Sequence, residues 1–202
     1  MSRSAADIVR EYGPFPDVHQ VHGLTYDGRH VWFAAGDRLT AFDPATGSPV
    51  RSIEVAATAG TAFDGRYLHQ IAGDRIQKID PRTGRVLATI PTPEGAGASG
   101  LTWAEGSLWL GQYRDRRIHR IDPATGAVLR TIESDRFVTG VTWVERELWH
   151  GTWQDDRSEL RRVDPETGEV LERLELPLSV ALSGSNRTAA MCSTAEGDPA
   201  AR

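Results

Sequence analysis

Cysteine is almost missing: Cys192 stands alone among 202 residues, so no disulfide can form within the chain. Lysine is almost missing too. Of 23 basic residues only Lys78 is lysine, a bias that points to a GC-rich, bacterial genome. No run of Lys or Arg is long enough to neutralise a row of phosphates, and the net charge is −5, so no nucleic acid is expected as a partner. No segment reaches the roughly 18 apolar residues of a membrane span. The opening MSRSAADIVREYGPFP has no apolar stretch of the signal-peptide kind. The expectation is a cytoplasmic protein without a membrane partner. A Gly-x-Ser-x-Gly elbow and a Gly-rich phosphate loop are also lacking.

What the chain does have is a refrain. Apolar residues make up 39%, charged residues 25%, and six Trp are spread along the chain, which suits one folded domain rather than disorder. Asp-Pro pairs begin at Asp43, Asp80, Asp122 and Asp164, and each is closed by Thr-Gly at Gly47, Gly84, Gly126 and Gly168. A second marker lies upstream in every unit, at Gly23, Gly60, Gly100 and Gly140. A period of 37 to 42 residues is the mark of a repeat architecture, and it outranks any local motif in setting the fold.

Each unit holds four short stretches rich in β-branched and aromatic residues between turn-forming ones. In the third unit they are GLTWA, SLWLGQY, RIHRID and AVLRTIE. Alternation such as RIHRID has period two, and no window repeats apolar residues at helical spacing over three turns. The D-P-x-T-G refrain reads as a tight turn between third and fourth strands: Pro presets φ, Asp accepts from nearby backbone N–H groups, and Gly takes a positive φ at little cost. Four strands in about 40 residues make a propeller blade. The fold class is therefore all-β, a β-propeller with four complete blades over about residues 18 to 178. The segment DIVREYGPFPDVHQVHG aligns with AVLRTIESDRFVTG, so Ile8 to Tyr12 is expected to be the outer strand of a fifth blade that the C-terminus leaves incomplete. In that state blades one and four would each keep an uncovered face.

The phrases GLTWAEGSLWLGQYRDRRIHRIDPATGAVLRTI and GVTWVERELWHGTW resemble the repeats of β-propellers related to plant-type glutaminyl cyclotransferase. They are similar, more loosely, to streptogramin lyase-like and gluconolactonase-like propellers. The resemblance implies a five-bladed ring in which an acidic residue and several Trp at one channel mouth take up an N-terminal glutamine and close it to pyroglutamate. It also implies a catalytic Glu just after an aromatic residue on a second strand. At those places this chain has Trp32-Phe33-Ala34, Leu68-His69-Gln70, Trp109-Leu110-Gly111 and Trp149-His150-Gly151, with no Glu. The seven-bladed streptogramin lyase-like ring, with catalytic His and magnesium, is longer than this chain.

Ligands of propellers sit at a channel mouth, reached by the segment before each first strand and the loop after each second strand. Those positions offer Ser99, Gln112, Tyr113, Thr139, Trp153 and Asp155 as ligand-binding residues, a mixture of aromatic and polar groups that suits a small polar molecule or a peptide N-terminus. Polar loops are also what solvent contact alone selects. His22, His69 and His150 are the candidate catalytic bases, although His69 and His150 fall within strands, where a satisfied, partly buried imidazole is the ordinary finding. Asp17, His19 and His22 do not converge on one side of an extended strand, and no metal site is assigned. No cofactor is expected, and a divalent metal stays open. Trp32, Trp109 and Trp149 share one register and read as seam residues between blades, whereas Trp153 stands outside the pattern. Three functional classes remain: a binding propeller, which the missing Glu favours; a channel-mouth enzyme such as a glutaminyl cyclotransferase or a lyase; and a scaffold for another protein.

The domain is read as residues 1–180, followed by a tail, 181–202, that loses every blade marker and becomes small and polar, the composition of a disordered or aberrant end. With freely chosen wobble bases, the alternate frame from Leu182 can encode Gly-Leu, then Gly five residues on, then an aliphatic–aromatic pair, the grammar of a blade. The expectation is a frameshift near codon 180, which DNA sequencing across that codon tests. A truncated chain should give low soluble yield, rescued by the alternate-frame tail; equal melting of the two chains would refute this.

Overall fold

The computed structural model describes residues 2–5, 8 and 10–177. After an initial strand β1 (Ser2–Ala5) come four groups of four. Blade one holds β2 (Gly23–Tyr26), β3 (Val31–Ala34), β4 (Gly36–Phe42) and β5 (Pro49–Ala57). Blade two holds β6 (Thr61–Phe63), β7 (Leu68–Ala72), β8 (Arg75–Ile79) and β9 (Val86–Pro91). Blade three holds β10 (Ala98–Ala104), β11 (Ser107–Gln112), β12 (Arg117–Ile121) and β13 (Val128–Glu133). Blade four holds β14 (Phe137–Val144), β15 (Glu147–Gln154), β16 (Arg157–Val163) and β17 (Val170–Glu175). Within each blade the strands pair antiparallel in chain order. The architecture is an all-β propeller of four complete blades, as the repeat implies. Among the described residues no helix is long and apolar enough to cross a membrane.

The refrain forms the turn between third and fourth strands. In blade three, Asp122 Oδ1 accepts from the backbone N–H groups of Ala124 (2.8 Å) and Thr125 (3.0 Å), and Gly126 N–H donates to the Asp122 carbonyl at 2.9 Å. Gly126 has φ +80°, and a Cβ there would also lie 3.0 Å from the Pro91 carbonyl of the preceding blade. Two demands fall on one glycine: a left-handed backbone, and close approach to a neighbour.

The upstream glycines do a different job. They begin or enter the innermost strands, and there the blades meet backbone to backbone. A Cβ on Gly23 would lie 2.6 Å from Gly60 Cα; one on Gly60, 2.3 Å from Leu101 N; one on Gly100, 2.3 Å from Val141 N. No side chain fits at that separation. Outside this glycine axis, apolar side chains fill the seams. Trp32 packs with Leu68 and Ile79 of blade two, and Trp109 with Val138 and Val141 of blade four, each indole 3% exposed. Trp149, at the same register, is half-buried on the side of blade four turned away from blade three, and its indole N–H reaches Glu147 at 3.3 Å.

The N-terminal segment differs from expectation in an informative way. Ile8, Arg10, Glu11 and Tyr12, the described residues of the expected strand, do not pair; Ser2–Ala5 does, parallel to β17 from Ser2↔Glu172 to Ala5↔Glu175, giving blade four a fifth strand. Pro14 and Pro16 cannot donate to a ladder, and the aromatic side chains beside them are drawn onto blade one instead. Tyr12 and Phe15 pack on Phe42 at 5.0 and 5.1 Å, and Phe15 on Phe33 at 4.8 Å. That cluster, with Val18 and Val21, covers the face of blade one expected to lie bare. The alignment with a fourth strand holds in position though not in pairing. Arg10 donates to the Ala45 carbonyl (3.0 Å) as Arg51 does to that of Arg82 (2.5 Å), and Tyr12 lies against Gly47 as Ile53 lies against Gly84. Residues 181–202, and with them the expected frameshift and Cys192, lie outside the described residues.

Replacing Gly100 by Ala forces the inner strands of blades three and four apart and is expected to cost about 3 kcal/mol or more. Gly28→Ala, at φ +93° with open space around it, should cost only about 1 kcal/mol. Urea unfolding of the two variants measures the difference.

Candidate functional site

The strand register decides where each sequence-selected residue lies. His22, Ser99 and Thr139 immediately precede the axial glycines Gly23, Gly100 and Gly140. Ser99 Oγ is committed to structure, donating towards the carbonyls of Gly111 (3.1 Å) and Val138 (2.7 Å) and so tying blade three to blade four. Thr139 Oγ1 is buried and has no partner among the described residues. Burial lowers the pKa of His22, so its imidazole is neutral at neutral pH. Gln112 is 1% exposed; its amide donates to the Pro93 and Glu94 carbonyls, and its Oε1 accepts from His119 Nε2 at 2.8 Å. Tyr113 stacks on Phe137 at 4.8 Å. Trp153 is half-buried opposite Phe137.

His69 occupies the register of Trp32, Trp109 and Trp149. It stacks on Trp103 at 5.5 Å and holds Asp64 at 2.9 Å, as the Trp32 indole holds Asp27 at 2.7 Å. Burial lowers its pKa despite Asp64. It stands in for a seam tryptophan.

His150 is different. It lies one residue along, facing blade three, where Phe33 and Leu110 are the equivalent residues of blades one and three. It is 2% exposed, and its Nδ1 has no hydrogen-bond partner among the described residues. Opposite it on β16 sits Arg161, also 2% exposed. Arg161 Nε donates to Glu159 at 2.8 Å and its Nη1 to Asp135, while Arg136 Nη1 holds the other oxygen of Glu159 at 2.5 Å. Burial, then the Arg161 guanidinium, pushes His150 down to about 4. Burial alone would raise Glu159, but Arg161 and Arg136 outweigh it and hold the carboxyl below its usual range. The result is a buried ionic network around a neutral imidazole, in a position where two other blades are apolar.

This network opens into a groove of about 850 Å3 at the end of blade four that carries the 154–157 turn and the connection from blade three. Four arginines (136, 157, 161 and 173) and four carboxylates (135, 155, 159 and 175) line it. Gln154 Oε1 and Ser158 Oγ are buried there without partners among the described residues. Asp155, held at φ +52° in the turn, is the selected ligand-binding residue that lines the groove; Ser99, Gln112, Tyr113, Thr139 and Trp153 do not. Among the described residues no three His, Cys, Asp or Glu side chains cluster as metal ligands.

Sequence reasoning passed over Arg136, Glu159, Arg161 and Arg173. A signal existed: the third-strand position that pairs with Phe33, Gln70, Leu110 and His150 holds Thr40, Gln77, His119 and Arg161, polar in every blade. Only the packed seam shows that the fourth of these is buried.

Because His150 folds with a pKa well below its unfolded value near 6.5, its contribution is intact above pH 6.5 and is lost as pH falls from 6.5 towards 4, by of order 3 kcal/mol in all. The melting temperature should therefore fall between pH 7 and 4.5, and fall less in His150→Leu. Thermal melts of both chains across that range check it; equal slopes would refute the assignment.

No curated protein matches this chain. Among solved structures, the Myxococcus xanthus glutaminyl cyclase aligns with TM-score 0.75 and 17% identity over 91% of this chain and 87% of that one. Kuenenia stuttgartiensis hydrazine synthase aligns with TM-score 0.56 and 16% identity, over 87% of this chain and 54% of that one. The structure named U3-55K aligns with TM-score 0.53 and 17% identity, over 75% and 50%. At these identities the likeness is one of fold, and it confirms the propeller and its resemblance to a glutaminyl cyclase. Residues 38–141, just over half of the chain, match a repeat family, and the protein belongs to that family, described as "Repeat of unknown function (DUF6923)".

Proposed function

We propose that this protein is a ligand-binding propeller of the glutamine cyclotransferase-like type, taking a small polar molecule or a peptide end in the groove of blade four. The observation that carries the reading is the groove itself: about 850 Å3, within the size range of small-molecule sites, lined by charges of both signs and by unpartnered Gln154 Oε1 and Ser158 Oγ. Unsatisfied buried polar atoms cost about 1–3 kcal/mol each, and a bound ligand would recover that cost. Balanced charge favours a ligand that itself carries both donor and acceptor groups over a simple ion.

A second reading, a glutaminyl cyclotransferase, draws support from the likeness to the Myxococcus enzyme over most of its length. The side chains favour binding. No carboxylate follows the second-strand aromatics, and the buried Glu159 is clamped by two guanidiniums below its usual range, which makes it a poor proton shuttle near neutrality. His69 is stacked in a seam, and His150 is neutral and buried.

Calorimetric titration with a panel of amino acids and short peptides should give saturable binding, weakened at least tenfold by Asp155→Ala with Arg157→Ala, two exposed positions on the rim. Absence of binding across the panel would overturn the reading. Conversion of a glutaminyl peptide to its pyroglutamyl product, or stabilisation by a divalent cation in a thermal melt, would replace it with the enzymatic one.

A further inference from the structure

Behind the groove, between blades three and four, lies a smaller cavity of about 210 Å3. Asp135, Arg161 and Arg173 line both spaces, so groove and recess meet at these side chains. The recess has two unlike walls. Ile118 and Ile132 of blade three with Val163 and Val170 of blade four make the aliphatic one, and His150, Arg161 and Arg173 make the polar one.

Hydrogen-bonding capacity on the polar wall is unevenly used. Arg161 is engaged by Glu159 and Asp135, whereas Arg173 Nε and His150 Nδ1 are buried without a hydrogen-bond partner among the described residues. Each carboxylate at the recess has one oxygen engaged, Asp135 Oδ1 by Arg161 and Glu133 Oε1 by Arg117 at 3.0 Å, and neither is hydrogen-bonded to Arg173 Nε, although Arg173 helps to lower the pKa of Asp135. Arginine can only donate, so what Arg173 lacks is an acceptor. Beside two guanidiniums the favoured acceptor is an anionic oxygen, because charge-assisted hydrogen bonds are about twice as strong as neutral ones. A water occupies about 30 Å3, so the recess holds several heavy atoms, and its aliphatic wall suits a short hydrocarbon portion beside the anionic group.

The register supports a specialised role. Of the positions equivalent to His150, Phe33 and Leu110 in blades one and three are satisfied by packing, and Gln70 in blade two donates its amide to the Ala59 and Ile71 carbonyls, its Oε1 finding no partner among the described residues. A histidine with an idle nitrogen at this place weakens the seam unless something else bonds to it.

We propose that the recess receives the carboxylate of a small organic acid whose other polar groups lie in the groove. The ligand class is thus a carboxylate-bearing molecule with a short aliphatic portion, either a free amino acid or the C-terminal end of a peptide. This rests on the groove being the binding site and names the class of molecule that enters it.

The test uses the full chain and three probes: leucine, leucinamide, which lacks the carboxylate, and glycyl-leucine. Titration calorimetry should show the two acids binding at least tenfold more tightly than leucinamide. The tighter of leucine and glycyl-leucine identifies a free amino acid or a peptide end as the source of the carboxylate. Arg173→Gln should erase the preference over the amide, and Arg173→Lys should restore part of it. His150→Leu, which supplies the residue blade three uses, should raise the melting temperature while weakening leucine at least tenfold, so loss of binding cannot be put down to unfolding. Equal affinity for leucine and leucinamide would overturn the inference and leave the groove reading standing. Undiminished acid binding in both Arg173→Gln and His150→Leu would overturn it as well.

Discussion

Four backbones come together at the axis of this ring with no side chain between them, and the rest of the architecture follows from that contact. Gly23, Gly60 and Gly100 each lie so close to the next inner strand that an added Cβ would stand 2.3 to 2.6 Å from a backbone atom. With the inner edges pinned together, the blades can only fan outward, and the space between them widens towards the rim. Outside the axis larger apolar side chains fill the seams, among them Leu68, Leu108 and Leu148 and the indoles of Trp32 and Trp109. At the rim the Asp-Pro turns close each seam, with Gly84, Gly126 and Gly168 resting on the preceding blade.

Against that regular frame the seam between blades three and four stands out. The other seams are closed largely by apolar contact or by stacked rings, and His69 and His119 in them are satisfied by Asp64 and by Gln112 and Thr131, while Gln70 Oε1 and Gln77 Oε1 of blade two find no partner among the described residues. The last seam instead encloses Arg161 and His150, and its charges are arranged in a chain from Arg136 through Glu159 and Arg161 to Asp135. Burying ions is costly, and such networks are seldom the most stable way to fill a seam. The cost is consistent with a seam shaped around a ligand rather than around stability.

Blade one shows how the ring treats a face that no preceding blade covers. Tyr12 and Phe15 fold over Phe33 and Phe42, and Arg10 with Tyr12 repeats the contacts that a fourth strand makes with the following blade's turn. These interactions need side chains in the right places and not a ladder of backbone hydrogen bonds. That is why the segment can keep a blade-like position while Pro14 and Pro16 prevent it from pairing as a strand.

The amino-acid sequence by itself determined the repeat, the strands and the turns. Each rests on short-range physics: period-two alternation, the fixed φ of proline, the freedom of glycine, and an aspartate that bonds to its own turn. It also placed Trp32, Trp109 and Trp149 in seams from their shared register, which holds for the first two, whereas Trp149 is half-buried on the side of blade four turned away from blade three. Only the tertiary structure decided which polar residues share a space. Asp135, Gln154, Glu159, Arg161 and Arg173 come from four different segments of blade four and its approach, and no spacing along the chain announces their meeting. It decided, too, that Ser99 and Gln112 are spent on carbonyls while His150 Nδ1 meets no partner among the described residues, since a side chain's availability depends on what lies across the seam and not on its neighbours in sequence.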